Sequence, residues 1–220
     1  MDSGFEIVPD LLRADEMARV TAHLDAGALL RTRAGARHLL GDATVASLAR
    51  DPRLIDFATL VLGGAALPYR ATLFDKSPRA NWLVAWHQDT ALPLETRADV
   101  AGWGPWSDKH GVWYAHAPAA ALMRVVALRV HLDDSTSDNG PLRVIPDSHR
   151  DGVLSDAEVH ARAQSARSEG CIVGRGGVVA MRPLLIHASS KVRDDAPRRV
   201  LHIEYATSLE LGEGLRLRVV

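Results

Sequence analysis

Trp82-Leu83-Val84-Ala85-Trp86-His87-Gln88-Asp89-Thr90 is an apolar run that ends on three polar side chains. Its apolar half reads as a buried strand. Side chains alternate between the faces of a strand, so His87 and Asp89 point one way and Gln88 the other. An imidazole and a carboxylate on one face make two-thirds of a facial metal site, which a distant His would complete. Two His and one carboxylate leave three coordination positions open, the arrangement of non-haem iron(II) oxygenases.

His-x-carboxylate alone is a weak signal, because the chain holds three such pairs: His87/Asp89, His131/Asp133 and His202/Glu204. No His follows His202. Asp133 runs into a turn of Asp, Ser, Asn and Gly, where it is expected to cap the turn through its own backbone. His87/Asp89 precedes a span long enough to hold most of a barrel before the next suitable His. That His is His187, at the end of the apolar run Pro183-Leu-Leu-Ile-His-Ala-Ser-Ser190. Arg198 and Arg199 open the following strand. Burying an unpaired Arg is costly, whereas its planar fork suits a ligand carboxylate, and strand alternation lets one of the two point inward.

The rest of the chain fits a β core under a helical layer. Residues 10 to 26 carry Leu11, Leu12, Met17, Val20 and Leu24 near helical spacing, with Asp10 as expected N-cap and Gly27 as stop. A second helical region covers about 43 to 62, interrupted at Asp51-Pro52 and closed by Gly63-Gly64. Short β-like runs then follow at Tyr69–Phe74, Asn81–Trp86, Leu122–Leu132, Cys171–Val173, Val178–Met181, Leu184–Ile186 and Arg199–Ala206, with one further helix at Asp156–Ser168. Residues 91 to 120, rich in Gly and Pro, read as a long irregular binding loop. Asn139-Gly140-Pro141 reads as a tight turn opening a strand. Helices first and many short strands after suggest a mainly β fold, a double-sheet jelly roll with the N-terminal helices packed on one sheet.

With 220 residues, 47% of them apolar and 24% charged, one soluble domain is the expectation, its helical layer about 1–66 and its core about 67–207. A net charge of −1 gives no global field for nucleic acid or an anionic membrane surface. The single cysteine, Cys171, rules out an internal disulfide framework and suits a reducing compartment. The polar start and the lack of an apolar run of bilayer length make a cytoplasmic protein the default, as a monomer or weak homodimer.

Three blocks carry a family resemblance. They are Asn81-Trp-Leu-Val-Ala-Trp-His-Gln-Asp89, Leu132-Asp-Asp-Ser-Thr-Ser-Asp-Asn-Gly-Pro-Leu-Arg-Val-Ile-Pro-Asp-Ser-His-Arg150, and Met181-Arg-Pro-Leu-Leu-Ile-His-Ala-Ser-Ser190 followed by Arg198-Arg-Val-Leu-His-Ile-Glu-Tyr205. In this order they resemble the phytanoyl-CoA dioxygenase family of iron(II)/2-oxoglutarate-dependent oxygenases, in its bacterial small-molecule branch.

The resemblance implies a double-stranded β-helix in which His87, Asp89 and His187 bind iron(II). It implies that Arg198, eleven residues after the distal His, pairs with the far carboxylate of 2-oxoglutarate, supported by Ser189, with Arg199 as the alternative register. Lys76, Asn81, Thr72 and Arg129 are further candidates for cosubstrate or substrate contact, against surface ion pairs or loop caps. The implied reaction consumes O₂ and 2-oxoglutarate, releases succinate and CO₂, and oxidises a substrate C–H bond, by default hydroxylating it. Asp89 argues against halogenation, since family halogenases carry a small residue there.

The aromatic-rich segment suggests a substrate wall of Trp103, Trp106, Trp113, Tyr114 and His116 for an apolar or ring-bearing small molecule. Lys109, His110 and His116 could meet an acidic group, although solvated loop residues are the simpler account. No basic patch for the phosphates of an acyl-CoA is visible. The competing readings are a cupin-like hydrolase or isomerase using another metal, which has no need of Arg198, and a non-catalytic barrel that binds a small ligand.

Overall fold

Along the long strands apolar residues alternate with charged ones, and the charged ones other than Arg199 and Asp75 face inward. The computed structural model describes residues 1–27, 29–32, 35–76 and 80–220. Its helices are α1 (Ala14–Ala26), α2 (Ala43–Ala49), α3 (Pro52–Leu62), α4 (Ala119–Leu122) and α5 (Asp156–Ser165). Its strands are β1 (Phe5–Val8), β2 (Arg31–Thr32), β3 (Gly35–Ala36), β4 (Leu67–Lys76), β5 (Val84–His87), β6 (Ala91–Leu94), β7 (Trp106–Asp108), β8 (Trp113–His116), β9 (Val125–His131), β10 (Leu142–Val144), β11 (Glu169–Cys171), β12 (Val178–Met181), β13 (His187–Ser189), β14 (Arg198–Ala206), β15 (Glu210–Gly212) and β16 (Leu215–Arg216).

The larger sheet has the order β1-β12-β9-β14-β4-β3-β2 and the smaller β11-β10-β13-β5. Every pair in both is antiparallel. Crossovers between non-consecutive neighbours give the jelly roll. Two short units, β6-β8-β7 and the β15-β16 hairpin, complete it.

The helices cover one face of the larger sheet. Val126, Leu128 and Val130 of β9, Leu201, Ile203 and Tyr205 of β14, and Ala71 and Leu73 of β4 pack against Met17, Val45, Leu54 and Phe57 of the helices. Each large apolar side chain buried there stabilises by about 1.5–3 kcal/mol. The intervening residues turn to the barrel interior: Arg129 and His131, Arg198, His202 and Glu204, Thr72 and Lys76, all buried. Opposite them, Leu142, Val144, Cys171 and Leu185 form an apolar patch with Val179 and Met181.

Helix boundaries follow local chemistry. Asp42 caps α2 by accepting from the N–H groups of Thr44 and Val45, and Asp51 caps α3, with Pro52 in its first turn. Gly63 ends α3 in the left-handed region. α1 begins at Ala14 rather than after Asp10, which itself has φ 54°. Glu16 takes the Arg13 N–H instead. Among the described residues, no helix is long and apolar enough to cross a membrane.

Several sequence expectations are corrected. Strand β5 begins at Val84, not Asn81, because the Asn81 amide is spent on both backbone groups of Val192. Residues 91–120 are not one irregular loop, since Ala91–Leu94 and Trp113–His116 pair in register and Trp106–Asp108 joins them. Leu184–Ile186 is a buried turn, and the strand starts at His187. Asp133 does not cap its own turn. Its buried carboxylate accepts from the Arg199 backbone N–H, from Arg199 Nε at 2.7 Å and Nη2 at 2.9 Å, and from Arg175. At Asn139-Gly140-Pro141 the chain bends, Gly140 but not Asn139 takes a positive φ, and the strand opens at Leu142 rather than Pro141. Gly140 has φ 69°, and a Cβ there would lie 2.4 Å from the Ser190 carbonyl oxygen.

The Asp133 cluster ties the start of β14 to the loop after β9. Removing the carboxylate leaves the Arg199 guanidinium, among the described residues, with only the exposed Asp25, so Asp133→Ala should cost about 1–3 kcal/mol. In urea unfolding the midpoint should fall with the slope unchanged.

Candidate metal and 2-oxo acid site

The register of β5 against β13 sets His187 directly opposite His87. Their ring centroids are 4.2 Å apart. Asp89 follows two residues on, held by its backbone N–H to the Pro183 carbonyl at 2.8 Å. Gln88, on the other face, donates to the carbonyls of Gly152 and Leu184 and accepts from the Leu154 N–H. It locks the strand end that carries both neighbours.

The Asp89 carboxylate lies 3.7 Å from His87 Nε2 and 3.5 Å from His187 Nε2. One ligand atom from each of the three residues falls within 4.8 Å of the others, and among the described residues this is the one such group. Both imidazoles are oriented from behind. His87 Nδ1 lies 2.8 Å from the Ala85 carbonyl and His187 Nδ1 2.9 Å from that of Leu185. A carbonyl only accepts, so each Nδ1 carries the proton and each Nε2 presents its lone pair. Burial pushes the His187 pKa down to about 4, leaving it neutral, the form that binds metal. Burial works against the Asp89 charge, but His187, His87, His202 and Arg70 outweigh it and hold the carboxyl well below its usual range.

Cations collect at the other end of the same cavity. Lys76 Nζ donates to Ser189 Oγ at 2.7 Å and to the Ser190 carbonyl at 2.6 Å. Arg198 Nη2 donates to the same Ser189 Oγ at 3.2 Å and its Nε to the Asn139 carbonyl at 3.3 Å. Arg198 Nη1 is buried with no partner among the described residues. Arg129 donates to His202 Nδ1, stacks 5.3 Å over Phe74, and leaves its buried Nε unpartnered. Burial, with Arg198 and Arg129 nearby, pulls the Lys76 pKa down to about 7. Burial and Arg129 likewise lower that of Arg198. Phe74, Trp82 and Val84 wall the space between cations and triad.

The two adjacent arginines separate cleanly. Arg198 is buried in the barrel, while Arg199 turns outward to Asp133 and Asp25. The other two His-x-carboxylate pairs are spent elsewhere: His131 Nδ1 on the Arg129 carbonyl, Asp133 on Arg199, His202 on Arg129, and Glu204 on Arg70 and Tyr69.

Of the residues expected to contact cosubstrate, Lys76, Arg129, Ser189 and Arg198 line the cavity with His87, Asp89 and His187. Asn81 does not, since it clamps Val192. Thr72 is buried in β4 and does not line it either. None of the residues expected as an aromatic substrate wall lines this cavity. Trp103 and Trp106 pack on Leu94, Ala115 and Leu215. Trp113 lies under Arg97, and exposed His116 bonds Thr90. Tyr114 is buried beneath Lys109. The aromatics that do line the cavity, Phe74 and Trp82, were missed as site residues. Alternation along β4 places Phe74 with Lys76 and could have found it.

Comparison with known proteins agrees with this arrangement. The phytanoyl-CoA dioxygenase (PhyH) family description matches residues 2–200. The L-proline trans-4-hydroxylase of Streptomyces griseoviridis is 30% identical over 190 residues, which cover 74% of this chain and 63% of that protein's length. Among solved structures, the apoform of EctD from S. alaskensis superposes with a TM-score of 0.72 at 22% identity, over 100% of this chain and 84% of that one. The epimerase SnoN, in complex with Fe3+, alpha ketoglutarate and nogalamycin RO, gives 0.70 at 18% identity, over 99% and 82%. These likenesses establish the jelly-roll fold, and with a match over nearly its whole length the chain belongs to the phytanoyl-CoA dioxygenase family.

Proposed function

We propose that the protein is an iron(II)- and 2-oxoglutarate-dependent dioxygenase that hydroxylates a small molecule. The observation that carries this reading is one cavity with a facial His87–Asp89–His187 triad at one end and Arg198 at the other, its Nη1 unpartnered. A metalloenzyme that needs only the triad leaves Arg198, Lys76 and Arg129 without purpose. A dianionic 2-oxo acid accounts for all of them. The relative from S. griseoviridis is named for hydroxylating L-proline, which supports a hydroxylase acting on a small metabolite.

The residues fit the groups implied. Two imidazoles and a carboxylate suit a divalent iron and keep half its coordination sphere open. When bound, iron with 2-oxoglutarate and O₂ supplies the oxidising chemistry, turning the 2-oxo acid into succinate and CO₂ as a substrate C–H becomes C–OH. The protein's part is placement. Arg198, Lys76 and the Ser189 hydroxyl take the far carboxylate through charge-assisted bonds. The carbonyls of Ala85 and Leu185 hold both imidazoles against rotation, and Phe74 and Trp82 shield the space between from water.

Three outcomes test this. Anaerobic addition of 2-oxoglutarate to iron(II)-loaded protein should develop a saturable visible charge-transfer band, and Asp89→Ala should lose both the band and succinate formation while staying folded. No band in protein verified to hold iron(II) overturns the reading. Arg198→Ala should weaken 2-oxoglutarate binding by about 2 kcal/mol, a factor of about 30, whereas Arg199→Ala should lower stability with affinity nearly kept. Lys76 supplies a pH dependence. Its ammonium form, which favours the anion, is lost as pH rises through about 7. Affinity for 2-oxoglutarate should therefore fall from pH 7 to 9, and Lys76→Met should flatten that slope in the same titration.

A further inference from the structure

A second group of basic side chains stands outside the cosubstrate cavity, and the reading above does not use it. Lys109 and His110 form the tip between β7 and β8, and Arg37 and His38 follow β3. Buried Tyr114 lies beneath them. Lys109 Nζ is 4.5 Å from its ring centroid, His38 Nε2 is 3.0 Å from its hydroxyl, and the His38 and His110 rings are 6.3 Å apart.

This cluster lacks an acid. Among the described residues no carboxylate forms an ion pair with Lys109 or Arg37. Arg70 faces the same ring at 5.5 Å, but Glu204 neutralises it. Water is a sufficient partner for exposed Arg37. It is not sufficient for Lys109, whose ammonium is half-buried and disfavoured first by that burial and then by Arg37 and Arg70. A cation held in this way over an aromatic face is preorganised for an anion from outside. Tyr114 packs on Ala91, two residues past Asp89, and Arg70 donates to the Ala91 carbonyl, so the cluster stands beside the triad.

We propose that the substrate is an organic acid whose carboxylate lies between Lys109 and Arg37, with its reacting C–H end toward His87, Asp89 and His187. This rests on the dioxygenase reading, and the two can fail separately. An ammonium beside a guanidinium fork matches one carboxylate in charge and geometry. Tyr114, buried against Val112 and Val220, would form the floor under the bound acid.

The test screens matched pairs of free acids and their amides, with phosphate monoesters as a third arm. The readout is stimulated succinate formation by protein that shows the iron–2-oxoglutarate band. The expected result is stimulation by acids and none by their amides. Lys109→Gln should raise KM for the active acid about tenfold, and Lys109→Arg, which keeps the charge, should restore most of it. Stimulation by amides or phosphate monoesters as good as by acids overturns the proposal. So does a KM that Lys109→Gln does not move, or protein with the band that no acid stimulates. Absence of the band overturns the dioxygenase reading instead.

Discussion

The antiparallel pairing of β5 with β13 is the constraint on which the rest depends. It sets His187 opposite His87, and the interior placement of Asp89 follows two residues later. A slip of one residue would turn every side chain of one strand to the other face. Three contacts prevent that slip: the Asp89 N–H on Pro183, the Gln88 amide across Gly152, Leu154 and Leu184, and the Asn81 amide on Val192. None touches the ligand atoms, yet each fixes where those atoms stand.

A barrel interior with this many charges needs a rule for neutralising them. Arg70 is matched inside the fold by Glu204, and Arg199, on the outer side, by Asp133. Among the described residues, Lys76, Arg129 and Arg198 are not matched by acids. They use hydroxyl, carbonyl and imidazole acceptors, which satisfy hydrogen bonds without cancelling charge. The cavity therefore remains electropositive, and the desolvation of these groups is offset when an anion enters. Lys76 shows the stored cost most directly, with its pKa pulled down to about 7.

What was legible in the sequence had a period or a fixed chemistry. The two-residue repeat placed His87 and Asp89 on one side, and the same repeat separated Arg198 from Arg199 without saying which pointed in. Asp51-Pro52 and Gly63 marked helix ends because their backbone preferences are local. The misreadings came where side chains are claimed by partners far along the chain. Asn81 looked free for a ligand, but Val192, more than a hundred residues on, takes its amide. Asp133 looked like a turn cap until Arg199 arrived beside it. The tryptophans of 103–113 were assigned to the substrate wall on composition alone, and composition does not say which face of a small sheet they occupy.

The position of the 91–116 sheet follows from the same argument. Chain leaving Asp89 runs straight into β6, and β8 pairs back on it with Ala91 opposite His116. Side chains on β8 therefore alternate, Ala115 toward the apolar cluster with Leu94 and Trp106, and Tyr114 toward Arg70 and Lys109. One face of this sheet is spent on holding it to the barrel. The other carries Tyr114, which Arg70 and Lys109 face. The segment that read as an irregular loop is thus a paired sheet that begins two residues after Asp89. A rigid mount places a cation more accurately than a mobile loop can, because little ordering entropy remains to be lost when an anion binds.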